Sequence, residues 1–351
     1  MIDETVMSGV ALIGHGGREC LVWRDDLPRP KPLRGEVLIK VAAAGVNNTD
    51  INTRVGWYSK GDADADDASW TGEALQFPRI QGIDVCGYIA EVGDGVNSAR
   101  VGERVLVEPC LVEAQGQMRT PAWFLGSECD GGFAQYCAVD SRHAYVINSS
   151  LSNAELASFP CSYSTAENML TRTALKTGET VMITGASGGV GSATVQLSKA
   201  RGARVIAVTS SSKAQSLRDL GADVIVDRDA DYVAALGANS VDVVVDLVAG
   251  PKWPSLLDVL RPRGRYAVSG AVGGPIVDLD VRTLYLKDLS FFGCTVLEPQ
   301  VFGNLIKQIE TKAIVPLVAA TYPLQDIASA QVAFAEKAFT GKIVLTVTQD
   351  V

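Results

Sequence analysis

A glycine-rich segment constrains the fold of this chain more than any other feature of its sequence. Its residues are Thr184, Gly185, Ala186, Ser187, Gly188, Gly189, Val190 and Gly191. The segment follows the apolar run 180–184 and opens a stretch, 190–200, with the composition of a helix. Glycines at a strand-to-helix turn let the backbone approach a pyrophosphate, and the helix N-terminus supplies free N–H groups and the positive end of a dipole. We therefore predict a dinucleotide-binding site at this turn.

Six apolar runs alternate with helical stretches in the part of the chain that contains this turn. They begin at Thr180, Arg204, Asp223, Asp242, Arg265 and Ser290. Near-continuous β-branched runs are typical of strands covered on both faces, as in a parallel, doubly wound sheet. The pattern predicts an α/β fold whose Rossmann dinucleotide-binding domain spans residues 148–299.

The earlier part of the chain has a different pattern. Short β-like runs such as 36–42 alternate with glycine-rich turns, which indicates an antiparallel barrel or sandwich. The tail ends in another β-like run, 342–347, which we expect to rejoin this first domain. We therefore predict a first, catalytic domain over residues 1–147, completed by residues 300–351.

The composition of the 351-residue chain argues against several classes of protein. A net charge of −9 without a Lys/Arg run disfavours nucleic-acid binding. No run approaches the roughly 18 apolar residues of a membrane span, and the acidic N-terminus lacks the layout of a signal peptide. The seven cysteines form no C-x-x-C pair, and the two histidines are far apart in the chain. We therefore expect a cytoplasmic protein without disulfides or a bound metal.

The end of the second predicted strand indicates which dinucleotide binds. NAD enzymes usually place an acidic residue there, which bonds the ribose 2′-hydroxyl. Here the strand runs without an acid into Ser210, Ser211, Ser212 and Lys213. Hydroxyls and an ammonium stabilise a 2′-phosphate by charge-assisted hydrogen bonds, and Arg228 after the third strand adds a second cation. We therefore predict NADP(H); a Lys213 that is merely solvated is the alternative.

Further segments carry a family resemblance, in the order in which one superfamily has them. They are GEVLIKVAAAGVNNTD, FPRIQGIDVCGYIAEVG, VGERVLV, GGFAQYCAV, TGASGGVGSATVQLSKARGARVIAV and GKIVLTV. Over almost its whole length the chain resembles the medium-chain dehydrogenase/reductase superfamily, in the branch of zinc-independent quinone oxidoreductases and enoyl reductases. The resemblance implies a GroES-like β-barrel domain, a Rossmann doubly wound parallel sheet and a small-molecule substrate.

The sequence departs from the zinc alcohol dehydrogenases of that superfamily at the metal-ligand positions. Asn47 stands where those enzymes have a cysteine, and Ile83-Asp84 where they have His-Glu. Cys161 alone matches a ligand, and one thiolate cannot assemble a site of three protein ligands and an open position. Hydride from the nicotinamide must then reach an acceptor that is already electrophilic, such as a quinone or an α,β-unsaturated carbonyl. The alternatives are a zinc-type alcohol dehydrogenase-like oxidoreductase with atypical ligands and a non-catalytic, NADPH-binding crystallin-like protein.

The resemblance also implies roles for residues of the first domain. Asn47 would hydrogen-bond the cofactor or the substrate oxygen, and Tyr58 would donate to the carbonyl as negative charge develops there. Asp50 would orient their loop. A turn-stabilising amide at Asn47 and a barrel-rim aromatic at Tyr58 are the alternatives. Lys342 matches a lysine that lies near the cofactor in relatives, with a capping role equally open.

Other expectations concern the second domain and the surface. Ser269 and Gly270, at the end of the fifth predicted strand, are expected to run past the nicotinamide ring. The apolar sheet edge at 290–296 favours a homodimer. The acidic segment Ser59–Gln76 is either a solvated loop or a flap over the active site. Cys161 is either a small buried residue or a reactive thiol.

Overall fold

The computed structural model describes residues 5–59 and 74–347. By its internal contacts the chain divides into two units. Unit 1 comprises Met1–Cys161, Pro316–Ala338 and Lys342–Val351, and unit 2 comprises Ser162–Val315 and Phe339–Gly341. The acidic segment that the sequence predicts to be a loop or a flap lies mostly outside the described residues, which omit 60–73.

Unit 1 is built mainly from strands, numbered here along the whole chain. Its strands are β1 (Val6–Leu12), β2 (Leu21–Pro28), β3 (Glu36–Gly45), β4 (Arg79–Ile80), β5 (Asp84–Val92), β6 (Arg104–Val107), β7 (Cys110–Ala114), β8 (Gln117–Phe124), β9 (Tyr136–Asp140), β10 (Ala144–Val146), β17 (Val318–Pro323) and β18 (Lys342–Thr346). Its helices are α1 (Asn48–Arg54), α2 (Asn153–Leu156) and α10 (Ile327–Glu336).

The central sheet of unit 1 is organised around β3. Among the described residues the order is β10-β6-β5-β3-β18-β17, with β9 pairing the first half of β3. All pairs but β17–β18 are antiparallel. Most residues of β3 are buried, and the strand has a neighbour along nearly all of both edges. The last strand of the chain, β18, therefore lies beside a strand from its first fifty residues.

Unit 2 contains the parallel sheet that the sequence predicts. Its strands are β11 (Thr180–Ile183), β12 (Arg204–Thr209), β13 (Val224–Asp227), β14 (Val241–Asp246), β15 (Leu260–Val268) and β16 (Ser290–Gly293). They lie in the order β13-β12-β11-β14-β15-β16, and every pair is parallel. This is the strand order of a dinucleotide-binding Rossmann fold, so the predicted fold class is confirmed.

Helices precede, connect and follow the strands of unit 2. They are α3 (Pro160–Arg172), which begins in unit 1, α4 (Gly189–Ala200), α5 (Ala214–Asp219), α6 (Tyr232–Leu236), α7 (Trp253–Val259), α8 (Val281–Leu286) and α9 (Val301–Glu310). Among the described residues, no helix combines the length and the apolar character needed to cross a membrane.

The units divide after Cys161 and Val315, whereas the sequence places domain boundaries after residues 147 and 299. The segment that follows β10 stays with unit 1 because α2 packs on β3 and β5. Helix α9 belongs to unit 2, where the Gln308 amide donates to the carboxylate of Glu167 on α3 at 3.3 Å.

The glycine-rich turn has the backbone geometry that its sequence predicts. Gly185 has a φ of +58°, a conformation that glycine adopts without strain. Gly188 is the N-cap of α4. A Cβ on Gly191 would lie 2.3 Å from the carbonyl oxygen of Gly185, so the first turn of the helix can approach the turn only without a side chain there. The turn thus presents backbone N–H groups at the N-terminus of α4.

Candidate active site

Four residues of unit 1 form a hydrogen-bonded cluster. It consists of the side chains of Lys342, Asp84 and Asn47 and the backbone N–H of Cys161. The Lys342 Nζ lies 2.7 Å from Asp84 Oδ2 and also donates to Asn47 Oδ1. Asn47 Nδ2 donates to the same Asp84 oxygen at 2.8 Å, and the backbone N–H of Cys161 donates to Asp84 Oδ1 at 2.5 Å. Lys342 is 2% exposed and Asp84 0% exposed, so the ion pair is fully buried.

Strand pairing brings these residues together. Asp84 begins β5, Lys342 begins β18, and Asn47 follows β3, the strand between the two. Gly45 at the end of β3 is paired with Asp84, and a Cβ there would lie 2.4 Å from the Asp84 carboxylate. The glycine therefore leaves the space that the carboxylate occupies.

The Asn47 amide is nearly saturated by its neighbours. Its Nδ2 donates to Asp84 and, at 3.3 Å, to the carbonyl oxygen of Gly45, while its Oδ1 accepts from Lys342. Both amide hydrogens are therefore committed within unit 1. The Asn47 side chain also accepts from the backbone N–H of Asp50 in the capping box at the start of α1, so its Oδ1 has two donors. The contact of Asn47 with cofactor or substrate stays a prediction.

Asp50 lies in the first turn of α1 and stabilises its start. Its Oδ2 accepts from the backbone N–H of Asn47 at 2.7 Å, which forms a capping box at the helix N-terminus. Burial raises the pKa of Asp50 to about 7, against the opposing effects of the Asn47 backbone N–H and the Lys342 ammonium. The contact fits the predicted loop-orienting role, which stays a prediction.

Tyr58 follows the same helix. Its hydroxyl donates to Thr49 Oγ1 at 3.2 Å, and its ring meets Trp57 edge to face at 5.3 Å between centroids. Burial raises the pKa of the phenol above its ordinary value. The hydroxyl is therefore protonated at neutral pH and able to donate a hydrogen bond.

A pocket in unit 1 opens beside α1. It is lined by Thr49, Asp50, Thr53, Gln81, Ile83, Phe124, Leu125, Gly126 and Ser127. Gln81 Nε2 donates to the backbone oxygen of Asp50 at 2.9 Å, whereas Gln81 Oε1 and Ser127 Oγ are buried without a partner among the described residues. The pocket thus combines an apolar wall with free hydrogen-bonding atoms. Sequence reasoning missed both residues: Gln81 lies in the segment FPRIQGIDVCGYIAEVG but was given no role, and Ser127 stands in none of the motifs.

The predicted nucleotide-binding residues lie at one edge of the unit 2 sheet. Ser210 Oγ is 3.1 Å from Ser212 Oγ, and Lys213 Nζ donates to the carbonyl oxygen of Phe339 at 3.1 Å. Burial and then Arg228 lower the pKa of Lys213. The backbone N–H of Arg228 donates to the carbonyl oxygen of Thr209 at 2.9 Å, so the two predicted phosphate-binding cations follow the ends of neighbouring strands. Ser211, the third predicted hydroxyl, is exposed.

Two predicted cofactor residues follow β15 on the other half of the same sheet. The Ser269 backbone N–H donates to the backbone oxygen of Asp246 at 3.3 Å. A Cβ on Gly270 would lie 2.9 Å from the carbonyl oxygen of Leu247, so the chain passes closely over the turn that follows β14. Lys342, also predicted to lie near the cofactor, belongs to unit 1 and is held there by Asp84 and Asn47.

Comparison with known proteins agrees with this architecture. The alcohol dehydrogenase GroES-like domain matches residues 33–149, and the zinc-binding dehydrogenase family matches residues 189–311. An acryloyl-coenzyme A reductase of Metallosphaera sedula is 31% identical and covers 97% of this chain and 100% of that protein. The chain belongs to the medium-chain dehydrogenase/reductase superfamily.

Two further relatives support the assignment. A quinone oxidoreductase of Rattus norvegicus is 28% identical over 93% of both proteins. The structure of a candidate alcohol dehydrogenase from Sinorhizobium meliloti 1021 matches with a TM-score of 0.90 at 43% identity, covering 98% of this chain and 97% of that one. Within the superfamily the chain falls in the branch of quinone oxidoreductases and enoyl reductases. It is an oxidoreductase that uses a nicotinamide cofactor and acts on small molecules.

Unit 2 fits a nicotinamide dinucleotide. The close approach of Gly191 to Gly185 leaves no room for a side chain between the turn and the helix, and the N–H groups at the start of α4 are where a pyrophosphate binds in this fold. When bound, the cofactor supplies a hydride donor or acceptor. The glycine-rich turn would hold its pyrophosphate.

The cluster around Lys342 does not fit a zinc ion. Of the matched ligand positions, Asn47 offers an uncharged amide, and the Asp84 carboxylate is already bonded to an ammonium and a backbone N–H. Among the residues that the structure describes, no group of three or more His, Cys, Asp or Glu side chains is placed to hold a metal.

The buried pair generates a prediction about stability. Lys342→Met leaves the Asp84 carboxylate buried without its cation, and Asp84→Asn leaves the ammonium without its anion. Each single substitution is expected to lower the free energy of unfolding by about 3–5 kcal/mol. The double variant removes both charges and is expected to lose clearly less than the sum of the two. Urea unfolding of the four proteins measures this coupling, and additive losses would contradict it.

Proposed function

We propose that the protein is an NADPH-dependent, zinc-independent oxidoreductase that reduces a quinone or an α,β-unsaturated carbonyl by hydride transfer. The observation that carries the proposal is the bonding of the Lys342 ammonium to Asp84 and Asn47. These two residues stand at positions where zinc-dependent relatives have metal ligands. An ammonium has no open coordination position with which to bind and polarise an alcohol. An acceptor that is already electrophilic needs positioning, a hydride and a proton.

Tyr58 has the properties of a hydrogen-bond donor to the acceptor oxygen. Its raised pKa keeps the phenol protonated, and its one O–H, which donates to Thr49 in the free protein, turns to the acceptor oxygen when an acceptor binds. Donation to the oxygen favours the reaction because negative charge develops there as hydride arrives. A proton from Tyr58 or from water completes the reduction, giving a saturated carbonyl from an enone or a hydroquinone from a quinone.

Asn47 and Asp50 act by fixing the start of α1, which carries Thr49 and precedes Tyr58. The capping box and the bond from Lys342 restrain this turn from two sides. The proposed place for the acceptor is beside the Tyr58 hydroxyl, because the pocket beside α1 has room for about one water molecule and not for an acceptor.

The first test is NADPH oxidation against a panel of 2-alkenals, enones and quinones, with saturated aldehydes of equal length as controls. We expect turnover of unsaturated acceptors or quinones, little turnover of the saturated controls, and no loss of rate after treatment with a chelator. Turnover that needs zinc would favour the alcohol dehydrogenase-like alternative. Tight NADPH binding without turnover of any acceptor would favour the non-catalytic, crystallin-like alternative.

The preference for NADPH rests on the residues after β12. Ser210, Ser211 and Lys213 provide hydroxyls and an ammonium, and Arg228 lies near that ammonium. No acidic residue interrupts 209–213 to repel a 2′-phosphate. Charge-assisted bonds to this phosphate distinguish NADPH from NADH.

Lys213→Ala is expected to raise the dissociation constant of NADPH about tenfold while changing that of NADH little. The variant removes a charged donor that only the phosphorylated cofactor meets. Lys176→Ala, at an exposed lysine of the same unit, is the control. Fluorescence titration with each cofactor measures the constants. Equal losses for NADPH and NADH would contradict the 2′-phosphate assignment.

We further propose that two chains associate through the edge strand β16. This strand ends the unit 2 sheet, and Phe291 within it and Val296 after it are more than one third exposed. Tyr285 and Leu286 on α8 are 60% and 71% exposed. An apolar sheet edge beside an apolar helix surface favours pairing with a second copy.

Leu286→Glu is expected to shift the protein towards monomer, because a carboxylate would be buried in the interface. Met118→Glu, at a residue of β8 that is 67% exposed, is the matched control. Light scattering on a sizing column over a range of concentrations gives the molar mass. A monomeric wild type, or a dimer that Leu286→Glu leaves intact, would refute the proposed interface.

A further inference from the structure

A buried hydrogen-bond network lies at the carboxyl ends of β11 and β14 in unit 2. Its centre is the carboxylate of Asp246, which is 0% exposed. Asp246 Oδ1 accepts from Thr184 Oγ1 at 2.5 Å and from the backbone N–H groups of Val248 and Ala249 at 3.0 and 3.1 Å. Its Oδ2 accepts from the Tyr266 hydroxyl at 2.6 Å. All these donors are uncharged.

The network extends in both directions from the carboxylate. Thr184, the first residue of the glycine-rich turn, accepts in turn from the backbone N–H of Leu247 at 2.9 Å. The Tyr266 hydroxyl accepts from Trp253 Nε1 at 2.9 Å. The carboxylate thus ties the glycine-rich turn to the turn after β14, and both to the core of unit 2.

The turn after β14 needs this support. Ala249 has a φ of +54° and a ψ of −136°, which a residue with a side chain rarely adopts. The Asp246 carboxylate accepts from the N–H of this same residue with both oxygens. The adjoining Gly250 lies so close to the next loop that a Cβ would come within 2.5 Å of the Gly273 carbonyl oxygen. The position of the turn therefore sets the path of the chain beyond Gly270.

The strand order relates these contacts to the place where a dinucleotide binds. The order reverses between β11 and β14, and in doubly wound sheets a dinucleotide crosses at this point. The pyrophosphate lies on the turn after the first strand, here β11, with one mononucleotide on each half of the sheet. Residues predicted to hold the adenosine ribose phosphate follow β12 and β13. The turn after β14 belongs to the other half, which takes the nicotinamide.

We propose that Asp246 is a positioning residue for the nicotinamide half of the cofactor. By tying Thr184 to the turn 247–249, its carboxylate fixes the spacing between the pyrophosphate-binding turn and the loop over which the nicotinamide mononucleotide lies. The role does not depend on whether NADPH or NADH is preferred, nor on the acceptor that is reduced. A group that accepts from four donors needs both oxygens, and an amide offers only one.

The test compares how Asp246→Asn and Tyr266→Phe bind whole cofactors and adenosine fragments. Titration calorimetry with NADPH and 2′,5′-ADP, and with NADH and ADP, gives the dissociation constants. For Asp246→Asn we expect at least a tenfold weaker affinity for whichever whole cofactor the wild type binds, with the matching fragment changed less than twofold. For Tyr266→Phe, which removes one donor only, we expect a smaller loss in the same direction.

The matched control is Asp242→Asn. Asp242 lies at the opposite end of β14, where it accepts from the backbone N–H of Thr180 at 2.7 Å. A general loss of stability in unit 2 would follow from this substitution too, but it should leave the ratio of whole-cofactor to fragment affinity unchanged. Hydrogen exchange without cofactor gives a second measure: the amides of Val248 and Ala249 should exchange faster in Asp246→Asn and not in Asp242→Asn.

Two outcomes would overturn the role of Asp246. One is an unchanged affinity of a folded Asp246→Asn variant for the whole cofactor. The other is an equal loss for the cofactor and its fragment, which indicates a structural role. If Asp246→Asn does not fold, Tyr266→Phe decides. A ratio of whole-cofactor affinity to fragment affinity that equals the wild-type ratio refutes the proposal.

Discussion

The buried pair of Lys342 and Asp84 is the constraint on which the candidate site of unit 1 depends. Removing an ammonium and a carboxylate from water costs several kcal/mol each, and their attraction offsets this only when other hydrogen bonds satisfy the remaining positions. Asn47 and the backbone of Cys161 supply those bonds. The strands β5 and β18, the entry to α1 and the start of α3 must therefore all keep their places together.

Unit 2 stabilises a buried carboxylate in a different way. Asp246 is surrounded by hydroxyl and backbone donors, so its negative charge is solvated by dipoles and is not cancelled by a cation. The pair in unit 1 is electrically neutral as a whole. Each arrangement joins segments that are distant in sequence, because a buried carboxylate needs several hydrogen-bond donors and these come from different segments of the fold.

More of the fold than of the candidate site could be predicted from the sequence. Buried parallel strands leave near-continuous β-branched runs, so all six strands of unit 2 are visible in the sequence. The hairpin of β7 and β8 is not visible in the sequence. A bulge interrupts the pairing of its strands, and residues such as Met118 are exposed. Motifs single out Asn47 and Lys342, but their contact joins residues 295 positions apart. Such a contact follows from strand pairing, which no local pattern encodes.

The pairing of Gly45 with Asp84 on one side and with Val344 on the other has a consequence for how this site can change. Successive side chains of a strand point to opposite faces, so a slip of β18 by one residue would bring Ile343 to the place of Lys342. An aliphatic side chain would then face a carboxylate with no counter-charge. The charge balance of the site thus depends on the alignment of three strands, and an insertion or deletion next to β18 would change the charges beside the loop that follows β3.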